Sequence, residues 1–147
     1  VLEDNFDVDG APNSSIWTYD IGRGSENNGW GNNELQFYTD RPENVIVQNG
    51  YLIITAKQEA FGGASYTSAR LKTQNIFDQK YGRFEARIKL PLGLGLWPAF
   101  WMLGSNIDEV NAFVLSTVDA QRAPSSRVLN TIVFGSIWCH VIPALLP

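Results

Sequence analysis

From Tyr81 to Leu90 the chain alternates without a break: Tyr81, Arg83, Glu85, Arg87 and Lys89 are interleaved with Gly82, Phe84, Ala86, Ile88 and Leu90. Successive Cβ atoms of an extended chain point to opposite sides, so a period of two sorts these residues into one polar and one apolar face. The stretch predicts an antiparallel strand with one face on a core and one in water. The same period recurs at Asn44 to Val47 and Tyr51 to Ala56. Between them lies Gln48-Asn49-Gly50, and Asn-Gly readily supplies the positive φ of a tight primed turn, which predicts a hairpin. Thr67 to Thr73 and Leu96 to Leu103 read as two further strands. Before Asn111 no helical period is sustained, and Gly and Pro punctuate the sequence throughout. These patterns predict an all-β fold, an antiparallel β-sandwich, with no internal repeat and no linker.

Composition narrows what such a fold can do. A chain of 147 residues that is 44% hydrophobic has enough apolar side chain for one core. The formal charge of −4, from 11 basic and 15 acidic residues, leaves no stripe of Lys or Arg for a phosphate backbone, so nucleic acid is not an expected partner. One cysteine, Cys139, excludes an intrachain disulfide framework. One histidine, His140, excludes His-rich metal patterns and most Ser/His or Cys/His triads. Any catalysis falls to carboxylates.

The charge is unevenly spread. Up to Val110 there are 14 acidic and 9 basic residues; beyond it only Asp119, Arg122 and Arg127 are charged. Val128 to Pro147 is free of charge over 20 residues, long enough on paper to span a bilayer, but Asn130, Thr131, Gly135, Ser136, His140 and two prolines argue against a membrane span. The N-terminus has no basic stretch followed by an apolar one and does not begin with Met, so any export signal is expected to have been removed or never included. Asn13-Ser14-Ser15 is a glycosylation sequon, a motif that also arises by chance.

Two clusters hold the candidate functional residues. In Leu96-Trp97-Pro98-Ala99-Phe100-Trp101-Met102-Leu103, strand alternation puts Trp97, Ala99, Trp101 and Leu103 on one face, with the indoles about 13 Å apart at about 3.3 Å per residue. Such a row suits the flat face of a sugar ring, whose hydroxyls would reach Arg70, Asn32 and Asn33; it equally suits a packed core. Pro98 cannot donate to a ladder and points to a bulge or an edge. The second cluster, Trp30 to Thr39, reads as a glycine-rich loop leading into a strand, with amide and carboxylate side chains able to bond hydroxyls or simply to face water. Arg70, between Ala69 and Leu71, points away from the apolar face, as either a surface arginine or a fixed sugar-binding donor.

Five blocks in order carry a resemblance: WTYDIG at 17–22, GWGNNELQFYT at 29–39, YTSARLKT at 66–73, YGRFEARIKLP at 81–91 and GLWPAFWMLG at 95–104. Over about residues 1–110 the chain resembles the N-terminal part of a glycoside hydrolase family 16 domain of the laminarinase, or endo-β-1,3-glucanase, type. The resemblance implies a concanavalin-like jelly roll of two curved antiparallel sheets, a concave face that binds β-glucan, a secreted protein of carbohydrate metabolism, and retaining hydrolysis by two carboxylates. Trp97, Trp101, Arg70, Asn32 and Asn33 become the candidate substrate-binding residues. Family members often carry a structural calcium ion; Asp4, Asp7 and Asp9 are oxygen donors of the right type, but their spacing is not a cage, and no cofactor is expected.

The resemblance breaks where the chemistry would sit. The family's nucleophile, helper Asp and acid/base Glu lie in an E-x-D-x-x-E strand shortly after the WPAFWMLG block. Retaining catalysis needs such a pair about 5 to 5.5 Å apart across the scissile bond. After Trp101 this chain has only Asp108, Glu109 and Asp119 as carboxylates, and the pattern is missing. No catalytic residue is therefore assigned, and the chain is expected to bind glucan or to be an inactive, incomplete jelly roll. Residues 111–147 read as a divergent apolar tail, such as a changed reading frame or a truncated gene would produce; a genuine variant is the alternative.

Overall fold

The computed structural model describes residues 1–79, 82–104, 114–115 and 137–145. Those residues contain strands and short 3-10 turns but no α-helix, in keeping with the all-β expectation. A sheet of five strands has the order β1 (Thr18–Asp20), β7 (Arg70–Lys72), β10 (Ile137–Leu145), β8 (Leu96–Gly104) and β9 (Val114–Leu115). A second sheet joins β2 (Gln36–Tyr38), β6 (Ala64–Ser68) and β5 (Lys57–Phe61), and a third is the hairpin of β3 (Val45–Gln48) and β4 (Tyr51–Ile54).

The hairpin lies where the Asn-Gly signal puts it. Gln48 pairs with Tyr51, and Asn49 and Gly50 both take positive φ, 53° and 77°, as a two-residue primed turn requires. The single stretch Thr67 to Thr73 is divided between two sheets. At Ala69 the chain leaves β6 and enters β7, so one run of alternating residues serves both layers. One pairing departs from an antiparallel scheme: β2 runs parallel to β6, with Gln36, Phe37 and Tyr38 opposite Tyr66, Thr67 and Ser68.

Two cores flank the five-stranded sheet. Trp17, Val45, Ala69 and Leu71 are buried together, with Phe6, Ile16, Tyr19, Leu52 and Ile54 packed around them. The Trp17 indole N–H donates to Asp4 Oδ2 at 2.8 Å, which satisfies the polar end of an otherwise apolar side chain. The second core joins Tyr38 and Ala99 to the half-buried Trp30, Trp97 and Trp101.

The segment that most strongly predicts a strand has no ladder partner among the described residues. Residues 82–90 belong to no sheet among the described residues, although Phe84, Ala86, Ile88 and Leu90 are half-buried while Arg83, Glu85, Arg87 and Lys89 are exposed. Alternation encodes which way side chains face, not which strand lies alongside; the faces are as expected and the pairing is not. Tyr81, the boundary near Val110, Asp108, Glu109 and Asp119 lie outside the described residues. Within the apolar tail, the backbone of 137–145 forms β10, between β7 and β8. Among the described residues no helix is long and apolar enough to cross a membrane.

Candidate functional site

The loop before β2 sets the floor of the site. Gly29 adopts φ +64°, and a Cβ there would stand 2.5 Å from the Glu34 backbone nitrogen and 2.8 Å from its oxygen, so only glycine lets the loop close on Glu34. Glu34 is consequently buried, at 1% exposure. From it the period of two puts Glu34, Gln36 and Tyr38 on one side. Glu34 Oε2 accepts from Gln36 Nε2 at 2.7 Å and from the Tyr38 hydroxyl at 2.5 Å, and Glu34 Oε1 accepts from Asn32 Nδ2 at 3.1 Å. A buried carboxylate is tolerable only when its oxygens are satisfied this fully. Burial, then the neighbouring Glu34 charge, pushes the Tyr38 phenol well above its ordinary value of 10.0.

Arg70 occupies the centre. It is not a surface side chain: it is 8% exposed, and its guanidinium carbon stands 4.9 Å from the Trp30 ring centroid and 5.0 Å from that of Trp101. Both distances lie within cation–π range. Its charge is balanced by Asp20 of β1, with Arg70 Nε 2.9 Å from Asp20 Oδ2. The other Asp20 oxygen binds Lys72 Nζ. Register explains the contact, since Asp20 lies directly opposite Arg70 in the β1–β7 ladder. Trp30 also packs on Tyr38, with ring centroids 5.9 Å apart and planes inclined at 48°.

Of the residues singled out from sequence, Trp97, Trp101 and Arg70 therefore share one aromatic cluster. Trp97 and Trp101 are half-buried on the side of β8 that carries Ala99, while Phe100 and Met102 are buried on the other. Asn32 is exposed and joined to the cluster through Glu34; Asn33 is exposed beside it, in a left-handed turn at φ 59°. Sequence reasoning missed Trp30, Tyr38, Gln36, Glu34 and Asp20 as parts of the same assembly. Alternation through Glu34, Gln36 and Tyr38 is the signal that could have found three of them.

The amino-terminal aspartates do not gather into a cation site. Asp4 accepts from the Trp17 indole and from the Phe6 backbone N–H, and Asp9 Oδ1 accepts from the Asn49 backbone N–H at 2.9 Å. Among the described residues no group of three His, Cys, Asp or Glu side chains could hold a metal.

Comparison with known proteins follows from the same segments. The family model described as "Glycosyl hydrolases family 16" matches residues 30–134. A β-glucanase of Rhodothermus marinus is 51% identical over 104 residues, covering 70% of this chain and 35% of the relative. A β-1,3-glucan-binding protein of Penaeus monodon is 58% identical over 40 residues, covering 27% of this chain and 11% of the relative. The chain thus spans about a third or less of the length of these relatives. The X-ray structure of the laminarinase from Rhodothermus marinus superposes with a TM-score of 0.80 at 26% sequence identity, covering 99% of this chain and 85% of that one. The jelly-roll expectation is borne out by that superposition; the family match takes in the four blocks from 29–39 onward, its first residue being Trp30, while WTYDIG at 17–22 lies before it. With well over half of its residues matched by one family model, the chain belongs to glycosyl hydrolase family 16.

Proposed function

We propose that this chain binds β-1,3-glucan on the Trp30–Trp97–Trp101 face and does not cleave it. The observation that carries the reading is the contact of one guanidinium, Arg70, with two indoles, its charge balanced by Asp20. A flat aromatic face packs against the C–H groups of a sugar ring, and a held guanidinium donates to its hydroxyls in fixed directions. The family relatives named for β-glucan cleavage and for β-1,3-glucan binding support the choice of ligand.

The carboxylates support a reading without turnover. Retaining hydrolysis needs one carboxylate free to attack the anomeric carbon and another free to protonate the leaving oxygen. Asp20 is engaged by Arg70 and Lys72, and Glu34 is buried under three donors. The sequence after Trp101 supplies no E-x-D-x-x-E strand. Family membership also supports secretion as the setting in which the protein meets a polysaccharide.

The test is titration of the purified chain with laminari-oligosaccharides, followed by tryptophan fluorescence and, in parallel, by release of reducing ends from laminarin. The expected result is a saturable fluorescence change without new reducing ends. Trp97→Ala or Trp101→Ala should weaken affinity by about 1 to 3 kcal/mol, the loss of a buried aromatic surface. Parental affinity in both variants, or laminarin cleavage that survives purification to homogeneity, overturns the reading.

A further inference from the structure

We propose that Asn13 is an acceptor for N-linked oligosaccharide. It heads the sole Asn-x-Ser/Thr sequence in the chain, and the structure gives that sequence the geometry of an acceptor. Asn13, Ser14 and Ser15 are all exposed, between the buried Pro12 and the buried Trp17. The Asn13 backbone carbonyl accepts from the N–H groups of Ile16 at 3.0 Å and Trp17 at 2.9 Å, which ties the turn to the Trp17 core. Asn13 Oδ1 accepts from the Ser15 backbone N–H at 3.0 Å and from the Ser15 hydroxyl at 2.7 Å. The carboxamide is thus oriented through its oxygen, and Nδ2 has no hydrogen-bond acceptor among the described residues.

The donor would be an oligosaccharide linked through pyrophosphate to a membrane lipid. Asn13 Nδ2 attacks the anomeric carbon of its first sugar; the N–C bond forms as the C–O bond to phosphate breaks. The lipid pyrophosphate leaves with that electron pair, and the amide proton passes to a base of the transferase. Both hydrogen bonds to Oδ1 span only two residues, so the turn forms locally, before the sheets assemble. The position also spares the aromatic face. Trp17 packs with Leu71 and Ala69, whereas Arg70 lies between Trp30 and Trp101, so the sequon loop adjoins the opposite side of β7.

The experiment translates the full chain behind a cleavable export signal in the presence of eukaryotic microsomes, then measures protease protection and mass before and after peptide-N-glycosidase. The expected product is a protected chain heavier by one oligosaccharide that the glycosidase removes. Asn13→Gln and Ser15→Ala should abolish the added mass, and Ser15→Thr, which keeps the hydroxyl, should retain it. A protected chain of unmodified mass, or a shift that persists in Asn13→Gln, overturns the proposal. None of these outcomes depends on glucan binding.

Discussion

Arg70 has partners of two kinds, and they act differently. The indoles of Trp30 and Trp101 stack on a delocalised cation, whereas Asp20 neutralises it, and Lys72 draws on the same carboxylate. Removing Asp20 would leave two cations with no counter-charge at a site about nine-tenths enclosed. Asp20→Ala should therefore lower unfolding free energy by about 3 kcal/mol in urea titrations and weaken glucan binding with it. Tyr38 gives the pH dependence. Its folded pKa lies above the unfolded value of 10.0, so the protonated phenol is favoured by folding; that stability is complete below pH 10.0 and falls as pH rises toward the folded value. Urea midpoints measured from pH 8 to 11 should decline more steeply in the parent than in Tyr38→Phe. Much of this was not legible from single residues. Arg70 next to Leu71 reads as pointing away from the apolar face that Leu71 joins, as it does, but nothing local says that a second core with two tryptophans covers the other side. Asp20 could not be linked to Arg70 because their pairing spans 50 residues and is set by sheet register.

Elements were more legible where a turn fixed them. Asn49-Gly50 specifies both ends of the β3–β4 hairpin through backbone conformation alone, and the pairing of Gln48 with Tyr51 follows. The aromatic strand β8 also stands where its composition puts it. The contrary case is 82–90, whose alternation is cleaner than that of any paired strand and which nonetheless lies alongside no other strand among the described residues. An unpaired extended segment with one apolar face is a template for intermolecular pairing. It runs on into Leu92 and Leu94, both almost fully exposed. The double substitution Leu92→Lys and Leu94→Lys is expected to reduce self-association at micromolar concentration, read by dynamic light scattering, without shifting the urea midpoint. Particle size equal to the parent's would assign the association to another surface.

Across the molecule, a buried polar knot joins the two smaller sheets. Asn44 Oδ1 accepts from the Thr39 hydroxyl at 2.6 Å and from Arg41 Nη2 at 3.0 Å; Asn44 Nδ2 donates to the Thr55 carbonyl at 3.0 Å and to Thr67 Oγ1 at 2.9 Å. Thr67 in turn donates to Glu59, which also binds Arg41 and whose carboxyl these contacts hold below its ordinary range. Asn44→Ala strands several of these groups at once, and a loss of about 3 kcal/mol is expected in the urea transition. The sequence shows Asn44 only as the first residue of a strand segment; its four partners come from positions up to 23 residues away. The three-residue strand β7 carries a consequence for how the protein changes over generations. Leu71 belongs to one compartment and Arg70 to the other, with a single peptide bond between them. A shift of backbone that accommodates a new side chain beside Leu71 is felt at once by the cation held against the indoles, so drift in one compartment is constrained by what its neighbour tolerates.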